Sequence, residues 1–486
     1  MPLKNNKIYR WIMIPFCIVL CFVGKFIPEN PYINPQTLQI LLIFLGVLIL
    51  WLTIGIDWPS LLCIFALGFV DAIGFKSVLG SSFGNATFIF LLFTFICTYA
   101  LSKTSFIKRI TLWFINLPIA KKNGKIFSFL FLFAVLLIGL FMSPSVLFVV
   151  VLPILKEIFA IAKIEKGEKI GKALLMGLGF TVSISSGMTT IAHVFPVLAI
   201  QALGDAANNV TTLTYMGFAI PTGLVLFLLM YVMLFIVYRP DTSKLKNIDT
   251  TSIKQELPKI TKSDIITLVT FLIVIVLWIL PDLFKEVLPD FYGFMNKLTT
   301  AMPPILGTVA LCVIRIEGKP ILKVDEAFKN VPWPSLIMCA ATLALSSALT
   351  NKQVGIEQLI VGNGTEGLTT WFSSVGIMAV VVIFTIWALL QTNLSSNMVT
   401  ATLVSSVAVG VLSTIPGIPL ATIVCIIGFS ASLAFATPPS MPHIAIVAGD
   451  DHCGTKEVLA FGSVLMIIAL GVLISVGFFL GNAIFY

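Results

Sequence analysis

The chain alternates long apolar runs with short polar or charged intervals, and the intervals carry as much information as the runs. Runs of roughly 20 residues rich in Leu, Ile, Val and Phe recur from end to end, the length an α-helix needs to cross a bilayer. They are continuous rather than alternating, which excludes a β-barrel. The pattern predicts spans near 11–27, 39–56, 58–75, 83–101, 173–200, 212–238, 265–281, 299–315, 333–350, 419–436 and 458–485.

Two further apolar blocks do not read as single crossings. Block 126–155 has basic flanks on both sides: Lys103, Lys108, Arg109, Lys121, Lys122 and Lys125 before it, Lys156, Lys163, Lys166, Lys169 and Lys172 after it. Basic loops stay in the cytoplasm, so one crossing would strand half of these charges outside. A re-entrant hairpin turning at Ser143-Pro144-Ser145 keeps both flanks on one side. Block 369–412 is interrupted from Asn393 to Thr402 and flanked by weakly charged intervals, which predicts a second hairpin entering from the opposite side. No Asp, Glu, Lys or Arg occurs from Gly367 to Gly449, yet Gln391 to Thr402 is dense in amides and hydroxyls.

Lys4, Lys7 and Arg10 place the N-terminus in the cytoplasm, and counting spans from there leaves the C-terminus external. The expected organisation is an N-terminal tail and first span (1–38), a first repeat (39–238), a cytoplasmic linker (239–264) and a second repeat of inverted topology (265–486). Paired breaks at matching places in two inverted halves point to a transporter's binding site. The fold class is therefore all-α and polytopic, with about 11 spans and two re-entrant hairpins in a cell membrane.

Composition narrows the function. The 486 residues are 58% hydrophobic and 11% charged, with mean hydropathy +1.05. The net charge of +8 lies in loops, where it reads as a topology signal rather than a nucleic-acid surface. The eight cysteines are scattered without a CxxC pair, so neither a disulfide framework nor a zinc site is indicated. The spans hold almost no acids and no HExxH motif, which argues against an intramembrane enzyme.

Four interruptions carry the candidate chemistry: Phe141 to Pro153, Ser183 to Pro196, Asn393 to Thr400, and Ser430 to His443. A single Ser or Thr in a span usually bonds back to its own helix or packs between helices. Clusters at matched places in two halves favour a site. A broken helix offers its N-terminal N–H groups to anions and its C-terminal carbonyls to cations. Pro438 and Pro439 cannot donate to the helical ladder, which frees the carbonyls of Ala434 and Phe435. His193 and His443 fall within two of the breaks, each read either as a buried neutral ring or as a positive charge partner for an anion.

At these residues the chain resembles the divalent anion/sodium symporter family, which carries dicarboxylates, citrate or sulfate. Ser396-Asn397-Met398 with Thr400 resembles the family's Ser-Asn-Thr motif at the second hairpin tip, and Leu152-Pro153-Ile154 the Leu-Pro-Ile after the first. Ala436-Thr437-Pro438-Pro439 resembles its Ala-Thr-Pro-Pro-Asn, with Ser440 where Asn is usual. Gly187-Met188-Thr189-Thr190 resembles the break of the first half. The resemblance implies substrate contacts from Ser145, Thr190, Asn397, Met398, Thr400, Thr437 and Pro438. It implies one sodium site at Ser143 and Gly187 and another at Ser396, Asn397 and Ala436. It also implies a homodimer working as an elevator, with no cofactor beyond coupling Na+. Pro144 stands where the first tip motif has Asn, Ser145 and Met398 where the motifs have Thr, and His193-Val194-Phe195 where Gly-Thr-Pro is usual. The first sodium site is thereby weakened. The expected function is secondary transport of four- or five-carbon dicarboxylates such as succinate, malate or 2-oxoglutarate. Exchange or altered cation coupling is preferred, with sodium symport of dicarboxylate, citrate or sulfate as the alternative.

Overall fold

The computed structural model describes all residues except 1–6, 29–33, 205–209, 247, 249–254, 256, 286, 350, 352–375, 414 and 438–439. Among the described residues the chain is helical apart from one small antiparallel pair, Arg315–Ile316 with Lys319–Pro320. Eight helices are long and apolar enough to cross a bilayer, and shorter apolar helices accompany them. This is a polytopic α-helical membrane protein.

Most expected spans appear within a few residues of their predicted ends, and the departures have local causes. The stretch near 58–75 holds only the short helix Asp57–Leu67. Gly68 then lets the Phe75 ring pack on the backbone, where a β-carbon would overlap it. The basic interval after 102, read as a loop, folds into helices Phe106–Ile115 and Pro118–Lys122. Exposed Trp113 and Ile119 beside the lysines suit a bilayer interface. The second apolar block is described from Gly376 onward, so residues 369–375 of the expected hairpin lie outside the described residues.

The helices pack in two groups. The first joins Lys7–Val23, Pro35–Thr53, Asp57–Leu67 and Ala86–Ser102 to Lys262–Leu283, Met302–Val313 and Trp333–Leu349. The second contains a two-armed hairpin (Gly124–Gly139 and Pro144–Ile161), a broken helix (Lys169–Gly187 and Val194–Gln201) and Thr212–Tyr231. It continues with a second hairpin (Ile377–Leu394 and Asn397–Leu412), a second broken helix (Leu420–Ser430 and Pro442–Gly449) and the closing helix from Thr455. The groups touch where Val194–Gln201 meets Trp333–Leu349, Thr212–Tyr231 meets Lys262–Leu283, and Pro35–Thr53 meets Asn397–Leu412.

Ion pairs mark one face of the second group. Lys156 at the end of the first hairpin pairs with Asp450 beyond the second broken helix (2.5 Å), and Lys166 and Lys172 pair with Asp451 and Glu457 (2.5 Å each). Tyr231 Oη donates to the Lys125 carbonyl at the start of the same hairpin (2.6 Å). Both ends of the first hairpin therefore lie on this basic face. The second hairpin's exit lies on the other, where Tyr486 Oη accepts from the Ala421 amide (3.1 Å) and Thr422 Oγ1 donates to Asn482 (2.9 Å). The two hairpins therefore exit on opposite faces. Lys166 beside Asp451 holds that exposed carboxyl below the ordinary carboxylate range.

Candidate functional site: two hairpin tips against two broken helices

Each hairpin tip ends against the gap in a broken helix. Thr189 Oγ1 donates to the Leu140 carbonyl (2.6 Å), and the Thr437 hydroxyl donates to the Asn393 carbonyl. The two bonds are equivalent. Each threonine lies four residues before the first cap of an eight-residue outer helix, His193 or Met441. Each acceptor lies three residues before the serine, Ser143 or Ser396, that caps the hairpin's second arm. Four helix N-termini thus begin around the two gaps, at Pro144, Val194, Asn397 and Pro442, and four C-termini end there. Partial positive and negative charges meet there without a Lys, Arg, Asp or Glu at either tip.

The second half is held by amides. Asn393 is buried; its Oδ1 accepts from the Phe435 and Ala436 amides (2.9 and 2.7 Å), and its Nδ2 donates to the Leu389 and Leu433 carbonyls (2.9 and 3.0 Å). Thr392 Oγ1 donates to the Ala431 carbonyl (2.8 Å). Asn397, with its amide turned to satisfy its neighbours, donates to the Thr392 and Ser440 carbonyls (3.2 Å each). Ser440 Oγ donates to the Ala434 carbonyl (3.0 Å), so that carbonyl, expected to be free, is taken. The closing helix presses on this loop through Gly462, where a β-carbon would overlap the Phe435 carbonyl oxygen.

The first half is plainer. Its tip has Gly139, Leu140 and Pro144 where the second has Thr392, Asn393 and Asn397, so three side chains that carry oxygen in the second tip have counterparts without one, and Ser143 and Ser145 supply the tip's hydroxyls. Ser143 makes no side-chain cap bond, and Pro144 sits at the first helical position, where its missing N–H costs nothing. A β-carbon at Gly139 would overlap Ser185 Oγ, so the broken helix's own serine fills that space. Thr189 alone does the clasping, also accepting from the Ile191 and Ala192 amides (3.3 and 3.1 Å).

The residues singled out from sequence take different places. Ser396 caps its helix, accepting from the Val399 amide (3.5 Å). Thr400 Oγ1 bonds back to the Ser396 carbonyl (3.0 Å), the local use common for a helical threonine. Met398 is buried and Ser145 is exposed at the first tip. The Gly187 carbonyl accepts from Tyr215 Oη (2.7 Å), and Thr190 donates to Thr212 (3.4 Å). Ala436 is buried with its amide on Asn393. Pro438 lies outside the described residues. His443 shares a hydrogen bond with Ser183 (2.8 Å), and His193 stacks on Phe195 with ring centroids 3.9 Å apart. Among the described residues neither histidine has a carboxylate partner, whereas His452, on the basic face, faces Asp450 (3.2 Å). Sequence reasoning did not single out Thr392 or Tyr215, and it named Asn393, Thr189 and Ser440 only as parts of breaks and motifs, without a role of their own. The signal for Asn393 was present, an amide inside a charge-free apolar run.

Two cavities reach this region. One of about 550 Å³ lies between the turn Trp51 to Trp58, Pro334, and Ser395-Ser396 at the second tip. Another of about 570 Å³ runs from Thr190 past Gln201 to Thr87, Trp278 and Tyr292. Gln201 Nε2 donates to Thr87 (3.0 Å) and the Gln201 carbonyl accepts from Ser346 (3.3 Å), joining the two helix groups there. Among the described residues no group of three or more His, Cys, Asp or Glu could hold a metal. A cation at the tips would be coordinated by neutral oxygens, which suits a hard monovalent ion better than a transition metal.

Comparison with known proteins places the chain among transporters. The family model described as "Sodium:sulfate symporter transmembrane region" matches residues 7–486. The sodium-dependent dicarboxylate transporter SdcS of Staphylococcus saprophyticus is 25% identical over 98% of this chain and 93% of its own. An uncharacterized transporter of Haemophilus influenzae is 22% identical over 80% of each chain. YflS of Bacillus subtilis, provisionally named a malate transporter, is 23% identical over 74% of this chain and 72% of its own.

Proposed function

The chain belongs to the sodium:sulfate symporter family, a family of transporters and not of enzymes, and on that premise we propose that it carries small dicarboxylates through the cell membrane with one coupling sodium ion. The observation that carries this reading is the second-half cluster of Thr392, Asn393, Asn397, Thr437 and Ser440, neutral oxygens and amides in a layer without charged side chains. Similarity to a protein named for sodium-dependent dicarboxylate transport supports the substrate class. A dianion of four or five carbons spans the two tips, met by the four helix N-termini and by Ser145, Thr190, Met398 and Thr437. Sodium takes Ser396, Asn397 and the backbone at Ala436. The equivalent place at Ser143 and Gly187 is poor, because Gly139 and Pro144 bring no oxygen and the Gly187 carbonyl is already bonded.

Dicarboxylate exchange is the second reading, and the poverty of the first half favours it, since an exchanger needs no net driving ion. A histidine standing in for the missing cation has less support: His443 is engaged by Ser183 and His193 lies on Phe195. In either mode the second helix group moves as the carrier against the first, which holds a homodimer together. The repeats 39–238 and 265–486 are the inverted halves joined by the linker 239–264. The basic face lies in the cytoplasm with the N-terminus, and the C-terminus is external.

Labelled succinate uptake into proteoliposomes, challenged with unlabelled competitors in large excess, tests the substrate class. Malate and 2-oxoglutarate suppress the uptake, and lactate does not. Absence of saturable uptake of labelled succinate, malate and 2-oxoglutarate alike would remove the assignment.

A further inference from the structure

The cavity beside the second hairpin's tip contains a charge that the transport reading leaves unused. Its lining runs from Trp51 to Trp58 on one side and ends at Ser395 and Ser396 on the other, and among the described residues Asp57 is its only ionisable one. Asp57 is exposed, and among the described residues it forms no ion pair. As the first residue of helix Asp57–Leu67 it is favoured by the helix dipole, which accounts for an acid at that position but not for its facing a hairpin tip across a cavity. A carboxylate there repels a dianion and attracts a cation. Trp51, Ile54 and Trp58 give the cavity apolar walls, and low-dielectric walls concentrate the field of a charge between them.

We propose that Asp57 is a cation-attracting residue of the transport cycle, which raises the local sodium concentration at the Ser396–Asn397 tip from the face on which this cavity opens. The inference rests on the sodium reading above and adds a positioning residue from the other helix group. Asp57 would act only when that group faces the tip, so it biases sodium occupancy in one of the two states of the carrier. A single charge acting across a partly wet cavity changes local cation occupancy by about two- to fourfold.

Equilibrium binding of labelled 22Na+ to the purified full-length chain in detergent, by scintillation proximity, tests the proposal without regard to membrane orientation. At low ionic strength the half-saturating sodium concentration of Asp57→Asn is about two- to fourfold above wild type, while Asp57→Glu matches wild type. Raising choline chloride brings wild type and Asp57→Asn together, since salt screens a charge but not a lost contact. The wild-type half-saturation itself rises with choline chloride, a readout that needs no variant. Equal half-saturation for wild type and Asp57→Asn at low ionic strength overturns the role of Asp57. No saturable 22Na+ binding by the wild type would instead overturn the sodium reading on which it stands.

Discussion

Asn393→Ala reduces succinate uptake by about 100-fold or more, although the residue clasps the broken helix rather than touching substrate. Four hydrogen bonds converge on its side chain, and alanine leaves the amides of Phe435 and Ala436 and the carbonyl of Leu433 unpaired. Each buried orphan costs about 1–3 kcal/mol, so with three of them the ordered gap in the second broken helix loses about 3–9 kcal/mol relative to rearranged states. Because about 1.4 kcal/mol is tenfold in population, the competent arrangement becomes rare even where the helices stay inserted. Asn393→Asp separates the clasp from bulk folding. Its carboxylate keeps both amide contacts but sets charge against the Leu389 and Leu433 carbonyls, so uptake is poor at neutral pH and recovers in acid as the carboxyl gains a proton to donate. Wild-type-like uptake by Asn393→Ala would show that the gap is held by other means.

The second large effect is an asymmetry between the halves. Asn397→Ala abolishes sodium-stimulated uptake, a loss of about 100-fold, because it removes the tip amide next to the cation's place and unties Thr392 from Ser440. Ser143→Ala, its counterpart across the pseudo-symmetry, changes uptake by about threefold at most, since the Ser143 hydroxyl makes no cap bond and has no oxygen-bearing neighbour at Gly139 or Pro144. Parallel uptake measurements at saturating and at limiting sodium distinguish the two. Equal losses in both variants would mean that the first half also carries a cation.

Much of this architecture was legible in the sequence because membrane insertion leaves few options. Hydropathy located most spans, and the basic flanks of block 126–155 identified a hairpin that hydropathy alone would have read as a crossing. The misses arose where packing, rather than insertion, decides structure. Nothing in the run after Trp58 announces that the Phe75 ring will close over Gly68. The amphipathic helix Phe106–Ile115 was hidden by Lys108 and Arg109, which signal topology as strongly as they signal loop. At the site, motif spacing led to Ser396, Asn397 and Thr437, but the residue that organises them is Asn393, one helical turn earlier. Its four partners lie on its own helix and about 40 residues downstream, and a long-range clasp leaves no periodic trace in sequence. Thr400 went the other way: its spacing matched a motif, yet its hydroxyl serves its own helix.

A sodium titration of labelled succinate uptake into wild-type proteoliposomes tests the central claim most directly. With a single competent cation site in the second half, uptake without internal dicarboxylate depends on external sodium and saturates hyperbolically, with a Hill coefficient of about 1. Uptake that ignores sodium and appears only when the vesicles are preloaded with dicarboxylate would contradict it.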